Sequence, residues 1–133
     1  MRRLLLIFLL FLPASPAVAD VFDFVTPSGN IYCQVGLERD FSDIFCRIHE
    51  RQGVPAAPAL AGCANGHSFA MGDRGPVQVS CEAGGRWPGQ SEAAYGDTGQ
   101  FGGIICRSET SGLTCTNRDG HGFFLSRRSQ RAF

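Results

Sequence analysis

The sequence has no lysine and no excess of basic charge. Its twelve basic residues are all arginine, and twelve acidic residues balance them. A nucleic-acid-binding domain needs a basic face or stripe, whereas the only arginine cluster here is Arg127, Arg128 and Arg131 near the end of the chain. We therefore expect no nucleic acid among the partners, and we interpret the cluster as a solvated tail.

An apolar run long enough to cross a membrane is also missing. A spanning helix needs about 20 apolar residues, but the run at residues 4–12 has nine. Two arginines precede the run, and a small-x-small pattern ending at Ala19 follows it, which is typical of a secretory signal peptide. We predict that residues 1–19 are removed and that residues 20–133 are exported to the periplasm or the exterior. The residue directly after Ala19 is not a cysteine that could carry a lipid, so we expect no membrane anchor after cleavage.

Helical periodicity is absent as well. No stretch of eleven or more residues keeps a helical period free of glycine and proline, and the chain has 17 Gly and 7 Pro. Strand patterns are present instead, at residues 21–25, 77–81 and 123–125, and residues 77–81 alternate strictly between apolar and polar. The sequence predicts one all-β domain over residues 20–133, a small disulfide-stapled antiparallel barrel or sandwich built of hairpins.

The six cysteines lack the close spacing of a metal site. Zinc sites usually contain C-x-x-C pairs, whereas the nearest two cysteines here, Cys106 and Cys115, are nine positions apart. We therefore expect no metal and no other cofactor. An even number of cysteines in a small exported chain indicates a disulfide framework. The six cysteines predict three disulfides.

Turn signals suggest which cysteines pair. A four-residue loop at residues 109–112 would place Cys106 directly opposite Cys115 in a hairpin, at a distance that a disulfide can span. An eight-residue loop at residues 36–43 does the same for Cys33 and Cys46. The predicted pairs are then Cys33 with Cys46, Cys106 with Cys115 and, as the remaining pair, Cys63 with Cys81.

One polar stretch, residues 111–127, resembles a catalytic loop in composition, with His121 as a base, Ser126 or Ser111 as a nucleophile and Asp119 as an orienting acid. The segment around Asp119 and Gly120 is, however, typical of a turn, and the chain has no G-x-S-x-G nucleophile motif. We therefore interpret the stretch as a hairpin and expect no catalytic residue in it. We interpret the isolated His49 and His67 as polar turn residues.

Two surface segments are candidates for partner binding. Residues 83–103 form the longest segment without a strand signal and contain Arg86, Trp87 and Tyr95, residue types that often anchor interfaces. Packing of Trp87 in the core is the alternative interpretation. The second candidate is the acidic hairpin tip at residues 38–43, whose ligand spacing does not suit calcium and whose alternative interpretation is a solvated tip.

Several short motifs are similar to those of one protein family. They are TPSGNIYC at residues 26–33, YG at 95–96, IIC at 104–106, GLTCTN at 112–117 and GHGFFLSR at 120–127. Together they resemble an uncharacterised family of small exported bacterial domains, a domain of unknown function. The resemblance implies a shared fold, and it implies no activity and no catalytic residues.

Two classes of function remain open from the sequence. The first is a non-enzymatic binding or inhibitor module with a protein or glycan partner, which suits a stapled scaffold with long loops and no catalytic constellation. The alternative is a small extracytoplasmic hydrolase that acts on a cell-wall or protein substrate. That alternative requires a pocket in which His67 or His121 meets an acidic residue from elsewhere in the chain.

Overall fold

The computed structural model describes residues 20–52, 67–81 and 91–133. The predicted signal peptide, Cys63, Arg86 and Trp87 lie outside the described residues, so the predictions that concern them stay predictions. The described part contains no helix of the length and apolarity that a membrane crossing requires.

The described residues form eleven strands in two sheets. The strands are β1 (Asp20–Val25), β2 (Ile31–Leu37), β3 (Ser42–Ile48), β4 (Ser68–Gly72), β5 (Gln78–Ser80), β6 (Ser91–Glu92), β7 (Thr98–Phe101), β8 (Ile104–Glu109), β9 (Gly112–Thr116), β10 (Gly122–Leu125) and β11 (Gln130–Ala132). The first sheet has the order β5-β4-β3-β2-β1-β6, and the second has the order β11-β10-β9-β8-β7. Neighbouring strands are antiparallel except for β1 and β6, which are parallel.

The core lies between the two sheets, because alternate side chains along each strand point to the same face. Residues of β8, for example, are buried and exposed in strict alternation. Phe69 of the first sheet and Phe123 of the second are both fully buried, and their ring centroids lie 5.7 Å apart. Val77 and Val79 pack against this core as their alternation predicts. The prediction of an all-β fold is confirmed, and of the two architectures it left open the molecule is sandwich-like, since the sheets do not close into a barrel.

Two of the predicted disulfides are confirmed, one in each sheet. Cys33 bonds Cys46 across β2 and β3, and Cys106 bonds Cys115 across β8 and β9. In both hairpins the cysteines are direct partners in the strand register, as predicted. The strands extend further toward their turns than expected, so the loops shorten to residues 38–41 and 110–111. The register is unchanged because both strands of each hairpin lengthen equally.

Two segments expected to be irregular contain strands. Residues 83–103 include β6 and β7, so Tyr95 lies in a tight turn between two strands and not in a long loop. The arginine-rich tail includes β11, and the guanidinium carbon of Arg131 lies 5.5 Å from the ring centroid of Phe124. Arg127, Arg128 and Arg131 are nevertheless exposed, as the prediction of a solvated tail requires. Sequence patterns missed these strands because they are two to four residues long and lie at or near sheet edges.

Candidate functional site

The turns of the two sheets gather at two opposite ends of the sandwich. We call one the hydroxyl end, which is formed by residues 26–30, 93–97, 110–111 and 126–129. We call the other the charged end, which is formed by residues 38–41, 73–77, 102–103 and 117–121. Loops on a rigid scaffold are where binding residues concentrate, so each end is a potential site.

A cleft of about 180 Å³ opens at the hydroxyl end. The described residues that line it are Thr26, Ser28, Asn30, Ile31, Tyr95, Glu109, Thr110, Ser111, Gly112, Ser126 and Arg127. Six of these side chains carry a hydroxyl group. Within the described part of the chain, the hydroxyl groups of Tyr95, Thr110 and Ser111 make no hydrogen bond, so they are available to a ligand.

The wall of the cleft at residues 26–30 is held in place by backbone contacts. The side-chain amide of Asn30 donates to the carbonyl oxygen of Glu50 at 2.8 Å, and its Oδ1 accepts from the N–H of Glu50 at 2.7 Å. The N–H of Ile31 donates to Oγ1 of Thr26 at 3.3 Å. Gly29 has a φ of 70°, a left-handed conformation that favours glycine. The turn formed by residues 26–30, with the sequence TPSGN, is therefore rigid.

Tyr95 is presented by an equally rigid turn. The N–H of Gly96 donates to the carbonyl oxygen of Ser108 at 2.7 Å, and the N–H of Ser108 donates to the carbonyl oxygen of Asp97 at 2.9 Å. The buried hydroxyl of Ser108 donates to the carbonyl oxygen of Ala93, also at 2.9 Å. Tyr95 itself is 49% exposed. Of the three predicted anchors, the structure therefore describes only Tyr95, which lines this cleft.

Charged groups flank the cleft on two sides. Arg127 forms an ion pair with Glu50 at 3.0 Å, and Glu109 forms one with Arg107 at 2.9 Å. The N–H of Gln52 also donates to the carbonyl oxygen of Arg127 at 2.6 Å, which connects the two sheets at this end. The ion pairs are exposed, so they offer a ligand charge without a large desolvation cost.

At the charged end the polar groups bond to one another. The side-chain amide of the buried Asn117 donates to the carbonyl oxygens of Gly72 and Gly75 at 3.1 and 2.8 Å. Asp119 accepts from the N–H of Gly75 at 2.6 Å and lies 3.3 Å from Nη1 of Arg74. These contacts join the β9–β10 turn of one sheet to the β4–β5 turn of the other. The stretch around Asp119 is a turn, as predicted, and it also fastens the two sheets together.

The acidic tip lies beside these contacts at the charged end. Glu38 and Asp40 line a shallow cleft of about 340 Å³ together with Arg39, Arg74 and Arg118, so acidic and basic groups are mixed there. Asp43, which the sequence placed in the tip, belongs to β3 and accepts from the N–H of Gly36 at 3.1 Å.

The three histidines lie apart from one another. His49 is exposed, and Nδ1 of His121 lies 3.2 Å from the carbonyl oxygen of Phe133. His67 is fully buried beside Phe69, with 6.1 Å between the ring centroids, so its interpretation as a polar turn residue is wrong. Its side chain points into the core because it lies two residues before Phe69 on the same face. The described ranges contain no group of three or more His, Cys, Asp or Glu residues that could hold a metal.

Burial also changes the acid–base behaviour of His67. Desolvation lowers the pKa of its imidazole, and the nearby positive charge of Arg51 lowers this pKa further. Neither ring nitrogen has a hydrogen-bond partner in the part of the chain that the structure describes. His67 therefore favours the neutral form, and solvent does not reach it in the folded protein.

Comparison with known proteins identifies one family. The family model described as a family of unknown function, DUF6636, matches residues 4–133. No curated protein and no solved structure gives a significant match to the chain.

Proposed function

We propose that this chain, which belongs to the DUF6636 family of unknown function, is a non-enzymatic binding module that acts outside the cytoplasm. The ligand is a glycan held in the cleft beside Tyr95. Disulfides form and persist in oxidising compartments, and the bonds Cys33–Cys46 and Cys106–Cys115 support this location.

One observation carries the proposal: three of the six hydroxyl groups that line a rigid cleft have no hydrogen-bond partner among the described residues. Sugars present many hydroxyl groups that both donate and accept, and Tyr95, Thr110 and Ser111 can answer them in either role. The ring of Tyr95 adds an apolar surface against which a sugar ring can pack. The volume of about 180 Å³ is below that of a typical drug-sized pocket, so we expect it to accept one sugar unit of a longer chain.

The positions of the histidines support binding over hydrolysis. The carboxylate of Asp119, two residues from His121 in the sequence, is engaged by Arg74 and by the backbone of Gly75. His67 is buried beneath the surface and cannot reach a substrate. The triad geometry that a hydrolase requires therefore has no support from either histidine.

Isothermal titration of residues 20–133 with soluble muropeptides from purified peptidoglycan tests the proposal. We expect saturable binding that Tyr95→Ala weakens about 30-fold, which corresponds to the roughly 2 kcal/mol of an aromatic anchor. Tyr95→Phe keeps the ring and removes only the hydroxyl, so it should cost less. Arg74→Ala, at the opposite end of the sandwich, is the matched control and should leave the affinity unchanged.

Two further measurements separate the alternatives. Titration with lysozyme tests the inhibitor form of the proposal, and chromatography of muropeptides after incubation with the protein tests for hydrolysis. Cleavage products that depend on His121 would favour the hydrolase. The assignment of this cleft would be refuted if neither muropeptides nor lysozyme bind, or if Tyr95→Ala leaves the affinity unchanged.

A further inference from the structure

A further opening lies on the side of the sandwich, between the edges of the two sheets. We propose that β7 and the apolar slot beside it bind an extended peptide segment of another protein. This segment pairs with β7 as an additional strand, carries apolar side chains at alternate positions and has a basic residue next to them. The inference is independent of the glycan site.

The register shows which backbone groups of β7 are available. Cys106 and Cys115 are directly opposed with a Cα–Cα distance of 4.1 Å, which is typical of a pair that does not exchange backbone hydrogen bonds. The N–H and C=O of Cys106 must then point to the other side, toward its partner Gly99 on β7. The backbone N–H of Ser108, two residues further along β8, points in the same direction, because it donates to the carbonyl oxygen of Asp97.

Thr98 and Gln100 alternate with Gly99 along β7, so their backbone groups point outward. β7 is the last strand of its sheet, and among the described residues no strand pairs with its outer edge. An edge of this kind presents a row of free donors and acceptors to which another strand can bond. β7 thus offers two residues with outward N–H and C=O groups.

The space next to this edge is apolar. A slot of about 290 Å³ lies between β7 of one sheet and β1 of the other. Its walls include Phe101, whose ring centroid lies 5.1 Å from that of Phe22 and 6.1 Å from that of Phe24. Phe22 is 37% exposed although it lies on the inner face of its sheet. The sandwich is therefore incompletely covered at this edge.

Strand pairing and slot filling would occur together. Side chains on one face of an added strand would point between the sheets, where the slot lies, while those on the other face would point to solvent. A ligand with apolar residues at alternate positions satisfies both environments. The described residues that line the slot include two acidic residues, Asp23 and Asp97, and no arginine, so a basic residue beside the apolar ones complements the charge.

Selection from a phage-displayed library of random 12-residue peptides against residues 20–133 tests the proposal. We expect the enriched peptides to alternate apolar with polar residues and to contain arginine or lysine. Their synthetic forms should bind at least tenfold more weakly to Gln100→Pro, because proline removes one outward N–H and is tolerated at such edge positions. Gln100→Thr keeps that N–H and is the matched control, with a change below twofold.

A second variant and a modified peptide keep the test decisive if Gln100→Pro fails to fold. Phe22→Ser alters the slot and leaves β7 intact, and it should also weaken binding at least tenfold. N-methylation of the peptide at residues facing β7 should abolish binding, whereas N-methylation at the intervening residues should not. No enrichment of alternating peptides, or binding that is indifferent to these changes, would overturn the proposal.

Two controls identify the occupant and separate the two sites. If sedimentation equilibrium finds a dimer that Gln100→Pro dissociates, the edge pairs with a second copy of this chain and the peptide proposal is wrong. Tyr95→Ala alters the cleft at the hydroxyl end and should leave peptide binding unchanged, so either site can fail without the other.

Discussion

The two ends of the sandwich differ in what their polar side chains bond to. At the charged end, Asn117 and Asp119 bond to backbone groups of the opposite sheet. At the hydroxyl end, Tyr95, Thr110 and Ser111 line a cleft and keep their hydroxyl groups unbonded within the described residues. The first arrangement stabilises the contact between the sheets, and the second leaves hydrogen-bonding capacity for a ligand.

The difference shows that a stretch rich in polar and charged residues can hold two sheets together. Residues 117–121 contain asparagine, arginine, aspartate and histidine, yet their polar groups close a turn and fasten it to β4 and to the turn between β4 and β5. Residues 26–30 and 110–111 carry no charged side chain, yet they line the cleft for which we propose ligand binding. What separates the two cases is whether a polar group already has a partner in the folded chain.

The largest loss of stability is expected from replacing one of two buried asparagines, one of which lies at each end of the sandwich. Asn117 makes four side-chain hydrogen bonds, two of them to the opposite sheet, whereas Asn30 makes two. Because each lost hydrogen bond costs about 1 kcal/mol and buried groups left unpaired cost more, we expect Asn117→Ala to lower the free energy of unfolding by about 3 kcal/mol. Asn30→Ala should cost about 2 kcal/mol. Urea denaturation measures both, and a larger loss for Asn30→Ala would reverse the assignment of the structural end.

A smaller effect is expected at Ser108, which supports the turn that presents Tyr95. Ser108→Ala removes the hydrogen bond to the carbonyl oxygen of Ala93 and should lower the free energy of unfolding by about 1 kcal/mol. It should also increase amide hydrogen exchange at Gly96, whose N–H donates to Ser108. Unchanged exchange at Gly96 would show that the turn does not depend on this contact.

Acid should lower the stability of the folded protein through His67. Because burial and Arg51 lower the pKa of folded His67, the unfolded chain takes up a proton near pH 6.5 while the folded chain does not. The stability is therefore full above that pH and falls as the pH decreases through it. We expect a lower urea midpoint at pH 5.0 than at pH 7.5, and a smaller difference in His67→Leu.

The exposed His49 provides the matched control for this pH effect. In His49→Ala the urea midpoint should differ between pH 5.0 and pH 7.5 by as much as in the unchanged protein, because the His49 side chain is exposed. If His67→Leu retains the same pH dependence as the unchanged protein, the effect arises elsewhere.

The smallest effect is expected at the ion pair of Arg74 and Asp119. The Arg74 side chain is 69% exposed, and exposed ion pairs contribute at most about 1 kcal/mol. Arg74→Ala should therefore lower the free energy of unfolding by no more than about 0.5 kcal/mol. A loss as large as that of Asn117→Ala would mean that the charge, and not the backbone bonding of the turn, holds the sheets together.

Local sequence patterns predicted the hairpins because strand, turn and cysteine signals agreed there. The pairing of Cys106 with Cys115 depends only on one short loop, and the structure confirms it. By contrast, β6 and β11 have weak strand propensity. β6 forms by pairing with β1, which is distant in the sequence, and β11 forms by pairing with β10 across a turn. Tertiary context determines these strands.

The candidate cleft could not be predicted as a unit from the sequence. Its hydroxyl groups come from segments around Ser28, Tyr95, Thr110 and Ser126, which are joined only by the topology of two sheets. Among its lining residues, the sequence predicts a partner-binding role for Tyr95 alone, because tyrosine is a frequent interface anchor. The burial of His67 was missed because the flanking Asn65 and Gly66 suggest a turn, and only the position of Phe69 reveals which way the side chain points.

Binding at the hydroxyl end is tested most directly by following the amide ¹H–¹⁵N spectrum of residues 20–133 during titration with muropeptides. We expect the shifts on titration to concentrate at residues 26–30, 95–97, 110–112 and 126–127, and to disappear in Tyr95→Ala. Residues 73–77 and 117–121 should remain unchanged. Shifts that concentrate at the charged end and persist in Tyr95→Ala would show that the hydroxyl end is not the binding site.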